Sequence, residues 1–355
     1  MEYFYYLFIL LSMKDILVVG SATYDIFLSS PLFKATSDPH FKDNPAFPTG
    51  TAECFAFGGK ISVDSLHAES GGGATNAAVT FARHGLTTSC LAPVGSDLFA
   101  TLIETELKKE GITTVFDRQP KFPTGYSTIL LSKDGERTIL TYRGAGDSFS
   151  NSLLNNKNFS ASWLYLVSGH LLLPTIKKIF SLAHTRKIKI AMNPSLHHLS
   201  LGPVSLAPFL KHLSVLVLNR EEGSVLTGHP YADKERILSS LRSLTPALIL
   251  LTDGPAGATV LSGQTSFSAK PFKEKELLDR TGAGDAFGSG FVASLITAEK
   301  KLKKKFSLFD EKIQREALRF ALANSTSVVE HIGAKPGILT YAQFTRQKRF
   351  KKNII

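Results

Sequence analysis

Apolar and polar positions change period repeatedly along this chain, and the changes mark out strands and helices. Ile16-Leu17-Val18-Val19 is a short apolar run closed by Gly20, the pattern of a buried strand. Lys60 to Ala68 alternates loosely and predicts a strand. Asn76 to His84 predicts a helix of small residues with Gly85 as its C-cap. Ser89–Val94 predicts a strand and Thr101–Glu110 a helix stopped by Gly111. Ile112–Phe116, Ser127–Ser132 and Arg137–Tyr142 predict strands, with Lys133-Asp134-Gly135-Glu136 as the hairpin turn between the last two. Thereafter strand and helix patterns alternate: Trp163–Val167, Thr175–Thr185, Ile188–Met192, Pro208–Leu213, Val215–Leu218, Lys234–Ser243 and Ala247–Leu251. Such alternation predicts an α/β fold in which helices flank a parallel sheet. Pro31, Pro39, Pro45 and Pro48 leave 31–57 as an irregular insertion without a readable motif.

Composition narrows this picture only a little. The chain has 355 residues, 43% hydrophobic and 20% charged, which suits a globular protein with a large core. Its two cysteines, Cys54 and Cys90, give no disulfide framework or metal spacing, so a reducing, cytoplasmic setting is expected. The net charge of +11 is concentrated in Lys300, Lys301, Lys303, Lys304 and Lys305, and in Arg346, Lys348, Arg349, Lys351 and Lys352. These read as a solvated face and a basic tail over 341–355, with no aromatic-rich stripe for nucleic acid. Residues 1–12 are strongly apolar, yet too short to span a bilayer and without a basic n-region or small-residue cleavage site. They read as an extension outside the fold, with Met13 as the expected start and no membrane partner.

The chemistry is concentrated in Leu278-Asp279-Arg280-Thr281-Gly282-Ala283-Gly284-Asp285-Ala286-Phe287. Phe287, Phe291 and Leu295 then follow at i, i+4, i+8, so this segment opens a helix. Gly282, Ala283 and Gly284 would sit at its N-terminus, where unpaired N–H groups and the helix dipole favour an anion. Asp285 would lie beside that anion, suited to take a proton from a hydroxyl attacking a phosphoryl group. The plainer reading is a tight turn with a first-turn acid. A second glycine-rich turn, Ser70-Gly71-Gly72-Gly73-Ala74-Thr75-Asn76, opens the helix toward Gly85.

Together these two segments, in this order, resemble the two signatures of the ribokinase-like (PfkB) carbohydrate and nucleoside kinase family. Leu218-Asn219-Arg220-Glu221-Glu222 is similar to the family's Asn-x-x-Glu motif, and Thr252-Asp253-Gly254-Pro255-Ala256-Gly257 to its nucleotide-side loop. Ala321-Leu322-Ala323-Asn324 and Gly333-Ala334-Lys335-Pro336 resemble its C-terminal helix and following loop. The resemblance runs roughly from Lys14 to Thr340. It implies a doubly wound, mostly parallel sheet flanked by helices over 13–340, with a small β-lid from parts of 27–70 and 112–142.

The resemblance also implies roles. Asp285 would be the base, with Gly282, Ala283 and Gly284 forming the anion hole. Asp25, Gly72, Gly73 and Asn76 would hold a small sugar or nucleoside; without the family, Asp25 reads as a loop cap and Asn76 as a helix N-cap. Asn219, Thr252, Gly254, Gly257 and Asn324 would line ATP, with Asn324 near the adenine. Glu222, with Asn219, would order Mg²⁺ through water; unaided by the family, the two are simply polar residues at a helix start. Asp279 matches a position that holds a monovalent cation, K⁺, in some members. A homodimer through the lid is compatible with the family. Arg280 departs from the usual Thr or Ser, and Gly73 from many sugar kinases, so no one member's substrate carries over.

Arg143 is a further substrate candidate at the end of a lid strand. It reads either as a hairpin-end charge facing solvent, the reading taken here with a neutral acceptor, or as the partner of a substrate phosphate or carboxylate. His197-His198 reads as a surface loop, His170 as structural though near the site, and Trp163 as core. No G-x-x-x-x-G-K-[ST] loop, G-x-S-x-G elbow or dinucleotide fingerprint is present. The rivals are a kinase-fold binding protein with little turnover, and an enzyme with ADP as donor.

Overall fold

The computed structural model describes residues 13–41, 50–132, 137–147, 149–150 and 152–351. The expectations for 1–12 and for the turn at 133–136 lie outside the described residues. The N-terminal half contains β1 (Lys14–Val19), β2 (Thr23–Ser29), β3 (Ala35–Ser37), β4 (Thr51–Glu53), β5 (Ser65–Gly71), α1 (Gly73–Arg83), β6 (Thr88–Gly95), α2 (Leu98–Lys109), β7 (Thr113–Gln119), β8 (Gly125–Leu131) and β9 (Arg137–Tyr142). Next come β10 (Ala161–Val167), α3 (Leu173–Thr185), β11 (Lys189–Asn193), α4 (Leu196–Leu199), α5 (Gly202–Leu210), β12 (Val215–Asn219), α6 (Arg220–Thr227), α7 (Lys234–Leu244) and β13 (Leu248–Thr252). The chain closes with β14 (Ala258–Ser262), β15 (Thr265–Ala269), α8 (Ala283–Leu302), α9 (Glu311–Val328) and α10 (Tyr341–Arg346).

A nine-stranded sheet runs β15-β14-β13-β12-β11-β10-β1-β6-β7, parallel except for its β14 and β15 edge. Alternate residues of β1 feed opposite faces, as the two-residue period of a strand requires. Ile16 and Val18 join Phe81, Phe291 and Phe320 from α1, α8 and α9 on one face. Leu17 and Val19 join Ile179, Leu206 and Leu241 from α3, α5 and α7 on the other. A strand buried on both sides must be apolar throughout, which explains the unbroken Ile16–Val19 run.

The lid is a four-stranded sheet, β5-β2-β8-β9, with its own small cluster of Phe27, Ile129 and Leu131. Within 112–142 the lid strands are β8 and β9, while β7 pairs in parallel with β6 at the edge of the main sheet. In the basic tail Arg346, Lys348 and Lys351 are exposed, while Phe344 and Phe350 are buried and Arg349 pairs with Glu330. Those two rings add about 1.5–3 kcal/mol each by burial.

β1 lies between β6 and β10, so successive connections leave it in opposite directions. A crevice forms at such a switch point, beyond the carboxyl ends of the strands. No helix among the described residues is long and apolar enough to cross a membrane.

Candidate active site

The crevice beyond β1 and β10 is a cavity of about 270 Å³ between the main sheet and the lid. Its floor is the N-terminus of α8. Gly282 is the N-cap at φ +76, and a Cβ there would lie 2.5 Å from that of Ala334, so only glycine fits. Asp279 holds this turn from below: Oδ1 accepts from the Thr281 N–H and hydroxyl at 2.9 and 2.7 Å, and Oδ2 from the Gly333 N–H at 3.0 Å. The Ala283 N–H makes a long 3.4 Å bond to Arg280, while those of Gly284 and Asp285 have no backbone partner among the described residues. A Cβ on Gly284 would meet nothing within 4 Å. Open space over unpaired N–H groups is the setting that an anion at a helix N-terminus requires.

Asp285 lies in the first turn of α8, half-buried. Burial pushes its carboxyl up, against the pull of a hydrogen bond from Asn76 and the charge of Lys335. Asn76 Nδ2 donates to Asp285 Oδ2 at 2.9 Å. Asn76 is therefore not a cap serving its own helix; Gly72 is the N-cap of α1. One N–H of its amide remains for a ligand.

The glycine turn at α1 gives close approach. A Cβ on Gly72 would lie 2.6 Å from Ser21 O, and one on Gly73 2.5 Å from Val167 and 3.3 Å from Asp285. Asp25 is a buried residue of β2 rather than a loop cap. Its Oδ1 accepts from the Thr23 hydroxyl at 2.8 Å, and burial pushes its carboxyl up.

Arg143 is exposed and also lines the same cavity as Asp25 and Asp285. It donates to His170 Nδ1 at 2.7 Å, and His170 stacks on His197 with centroids 4.8 Å apart. His198 is likewise not a surface residue: it is 1% exposed, with Nδ1 beside the Ser168 hydroxyl and Nε2 donating to Leu171 O at 2.7 Å. Trp163 is core.

The second group sits at the carboxyl ends of β12 and β13, where Asn219 and Thr252 are paired in register. Asn219 and Glu222 form a reciprocal capping box, each side chain accepting from the other's N–H at 2.8 Å. Half-buried Glu222 is pushed up to about 7 by desolvation, with no ion pair to relieve it among the described residues. A desolvated carboxylate in this state fits a hydrated cation. Gly254 and Gly257 turn the loop after β13 at φ +51 and +99. Arg220 braces that loop through Asp253 at 3.0 Å, a contact between two strand ends that no local pattern announced.

One expected contact does not fit. Asn324 is fully buried, its Nδ2 donating to Ala286 O and its Oδ1 accepting from the Leu339 N–H, both at 2.9 Å. It fastens α9 to α8 and, fully buried, presents no surface to an adenine. The buried Asp279 carboxylate accepts three protein hydrogen bonds, two at Oδ1 and one at Oδ2. Among the described residues no group of three or more His, Cys, Asp or Glu is arranged for a metal.

The sequence pattern of the family described as pfkB family carbohydrate kinase matches residues 47–340. A ribokinase of Bacillus subtilis is 24% identical over 330 residues, covering 92% of this chain and 97% of that protein. A probable fructokinase-7 of Arabidopsis thaliana is 28% identical, covering 76% and 80%. The structure of adenosine kinase from Sinorhizobium meliloti superposes with a TM-score of 0.74 at 19% identity, covering 95% and 99%. That of Arabidopsis thaliana ribokinase, complexed with ribose and ATP, does so at 0.70 and 20%, covering 96% and 99%.

Proposed function

The chain belongs to the pfkB family of carbohydrate kinases, and we propose that it transfers the γ-phosphate of ATP to a primary hydroxyl of a small sugar or nucleoside. One observation carries this reading: an aspartate aligned by Asn76 on the cavity floor, beside the outward N–H groups of Gly284 and Asp285. The acceptor oxygen attacks the γ-phosphorus, its proton passes to the Asp285 carboxylate, and the bond to the β-phosphate oxygen breaks to release ADP. The N–H groups stabilise charge on the transferred group. Asp25 and the remaining N–H of Asn76 hold acceptor hydroxyls.

Asn219 and Glu222 would hold hydrated Mg²⁺, which neutralises phosphate charge when bound. Glu222→Gln preserves the capping box and should raise the Mg²⁺ concentration for half-maximal rate about 10-fold or more, the usual worth of an outer-shell ligand. An unchanged Mg²⁺ dependence reduces Glu222 to a helix cap. Exposed Leu140 and Tyr142 on the β9 edge favour pairing of two copies through the lid.

The test is phosphotransfer to a panel of neutral sugars, nucleosides, sugar acids and sugar phosphates, with ATP and ADP compared as donors. Neutral acceptors are expected, because Asp25 and Asp285 disfavour an anion. Arg143 in the cavity supports a second reading, an anionic acceptor. With a neutral acceptor, Arg143→Ala should leave kcat/KM nearly unchanged. A selective loss of about 10–100-fold with a sugar acid or phosphate, the worth of a charge-assisted hydrogen bond, decides for the second. Binding of acceptors without transfer from either donor contradicts the kinase reading altogether.

A further inference from the structure

Lys335 is a buried cation that the reaction just described does not use. It lies 7% exposed in the loop after α9, and its Nζ donates to Asn76 Oδ1 at 2.7 Å and to Ser70 O. Asn76 in turn donates to Asp285, so ammonium, carboxamide and carboxylate form one chain. An ammonium can only donate. It therefore fixes which end of the Asn76 amide faces it, and leaves Nδ2 to face Asp285.

The loop carrying Lys335 is itself held on three sides. The Gly333 N–H bonds Asp279, the Ala334 N–H bonds Glu69 Oε1 at 2.6 Å, and Arg83 donates to Lys335 O at 2.8 Å. Burial pulls the Lys335 ammonium below its ordinary value, and the charges that oppose this come from Glu69 of β5, Asp25 of β2, Glu106 of α2 and Asp285 of α8. Burying a lone ammonium is costly unless it is paired and hydrogen-bonded. Three of those four carboxylates have other work: Glu69 and Glu106 accept backbone N–H groups, and Asp25 accepts from Thr23.

We propose that Lys335 is a positioning residue for Asp285: it orients the Asn76 amide and, by its charge, keeps the base ionised. The proposal rests on Asp285 being the base. Asp285 needs the help because burial raises its carboxyl, and a protonated carboxyl cannot accept the acceptor's proton. Removal of Lys335 should therefore move the acid limb of kcat/KM to higher pH.

The test compares Lys335→Met, Lys335→Gln and Lys335→Arg, using Mg²⁺-ATP and the acceptor with the highest turnover in the panel. Lys335→Met should lower kcat/KM about 10–100-fold at neutral pH, shift the acid limb upward by about one pH unit, and leave KM for ATP unchanged. In a cycle with Asp285→Asn, it should cost less than about threefold once the base is gone. If Asp285→Asn alone keeps wild-type turnover, the assignment of the base has failed. If Asp285→Asn is impaired and Lys335→Met costs the same in both backgrounds, Lys335 is structural and the proposal is overturned.

Should Lys335→Met not fold, the other two variants decide. Arginine retains the charge and glutamine only a neutral donor, so the limb should rise in Lys335→Gln and stay in Lys335→Arg. The ¹³Cγ titration of Asp285, read without acceptor, should move in the same sense. An Asp285 that titrates at one pH in wild type and in both variants contradicts the proposal.

Discussion

Asp285→Asn should lower kcat by ~10²–10⁴-fold, the usual worth of general-base assistance. Asparagine keeps the shape and can still accept from Asn76 Nδ2, but it takes no proton. Affinity for ATP should hold or tighten, because one negative charge leaves the neighbourhood of the phosphates. Thermal stability should hold or rise, since burial disfavours the native carboxylate. Near-normal turnover would show that the proton goes elsewhere.

Gly282→Val should have the next largest effect, a loss of at least ~10²-fold in kcat, the scale of a lost anion-hole donor. The backbone there is at φ +76, where a β-branched residue is strained by about 1–3 kcal/mol. The new side chain would also collide with Ala334, whose Cα and Cβ lie 2.8 and 2.5 Å from the added Cβ. Relief requires the α8 N-terminus and the 333–335 loop to part, which misplaces the N–H groups and Lys335 together. Activity and melting temperature measured on the same sample should both fall. Full activity in a folded Gly282→Val protein would mean that the cradle geometry is unimportant.

The main sheet and its helices were legible because a strand buried on both faces must be apolar, and the chain between strands keeps a helical period. Arg137–Tyr142 appears with the ends read from its pattern. The strand expected at Lys60 begins only at Ser65; 60–64 is exposed, and its backbone bond from the Asp64 N–H to Ser29 O does not extend the ladder. β2 escaped notice although Tyr24, Ile26 and Leu28 alternate, because the segment follows Gly20 too closely to stand out from a loop. Which strands of 112–142 form the lid is not legible, because an isolated strand carries no label for the sheet it joins. Phe344 and Phe350 were hidden among the basic residues of the tail.

The site was legible where chemistry is local. The turns at Gly72 and Gly282 show themselves through glycines that positive φ and close backbone contacts demand. Asn76 and Asp285 could each be named, but not their bond, which joins residues 209 positions apart. In sequence Lys335 is only part of a loop, since its partners lie on β5 and α1 and no spacing reveals them. Asn324 misled because a buried amide that ties two helices looks, in sequence, like one that faces a ligand. Arg143 depended on which way a hairpin end turns, and a strand pattern does not settle that.

The most direct measurement is a crystal structure with ADP, Mg²⁺, aluminium fluoride and the acceptor of highest turnover. The account predicts the fluoride group over the α8 N-terminus, accepting from the N–H groups of Gly284 and Asp285. The acceptor oxygen should lie about 2.6–3.2 Å from the Asp285 carboxylate. A fluoride group away from that helix end, or an acceptor oxygen out of reach of Asp285, would contradict it.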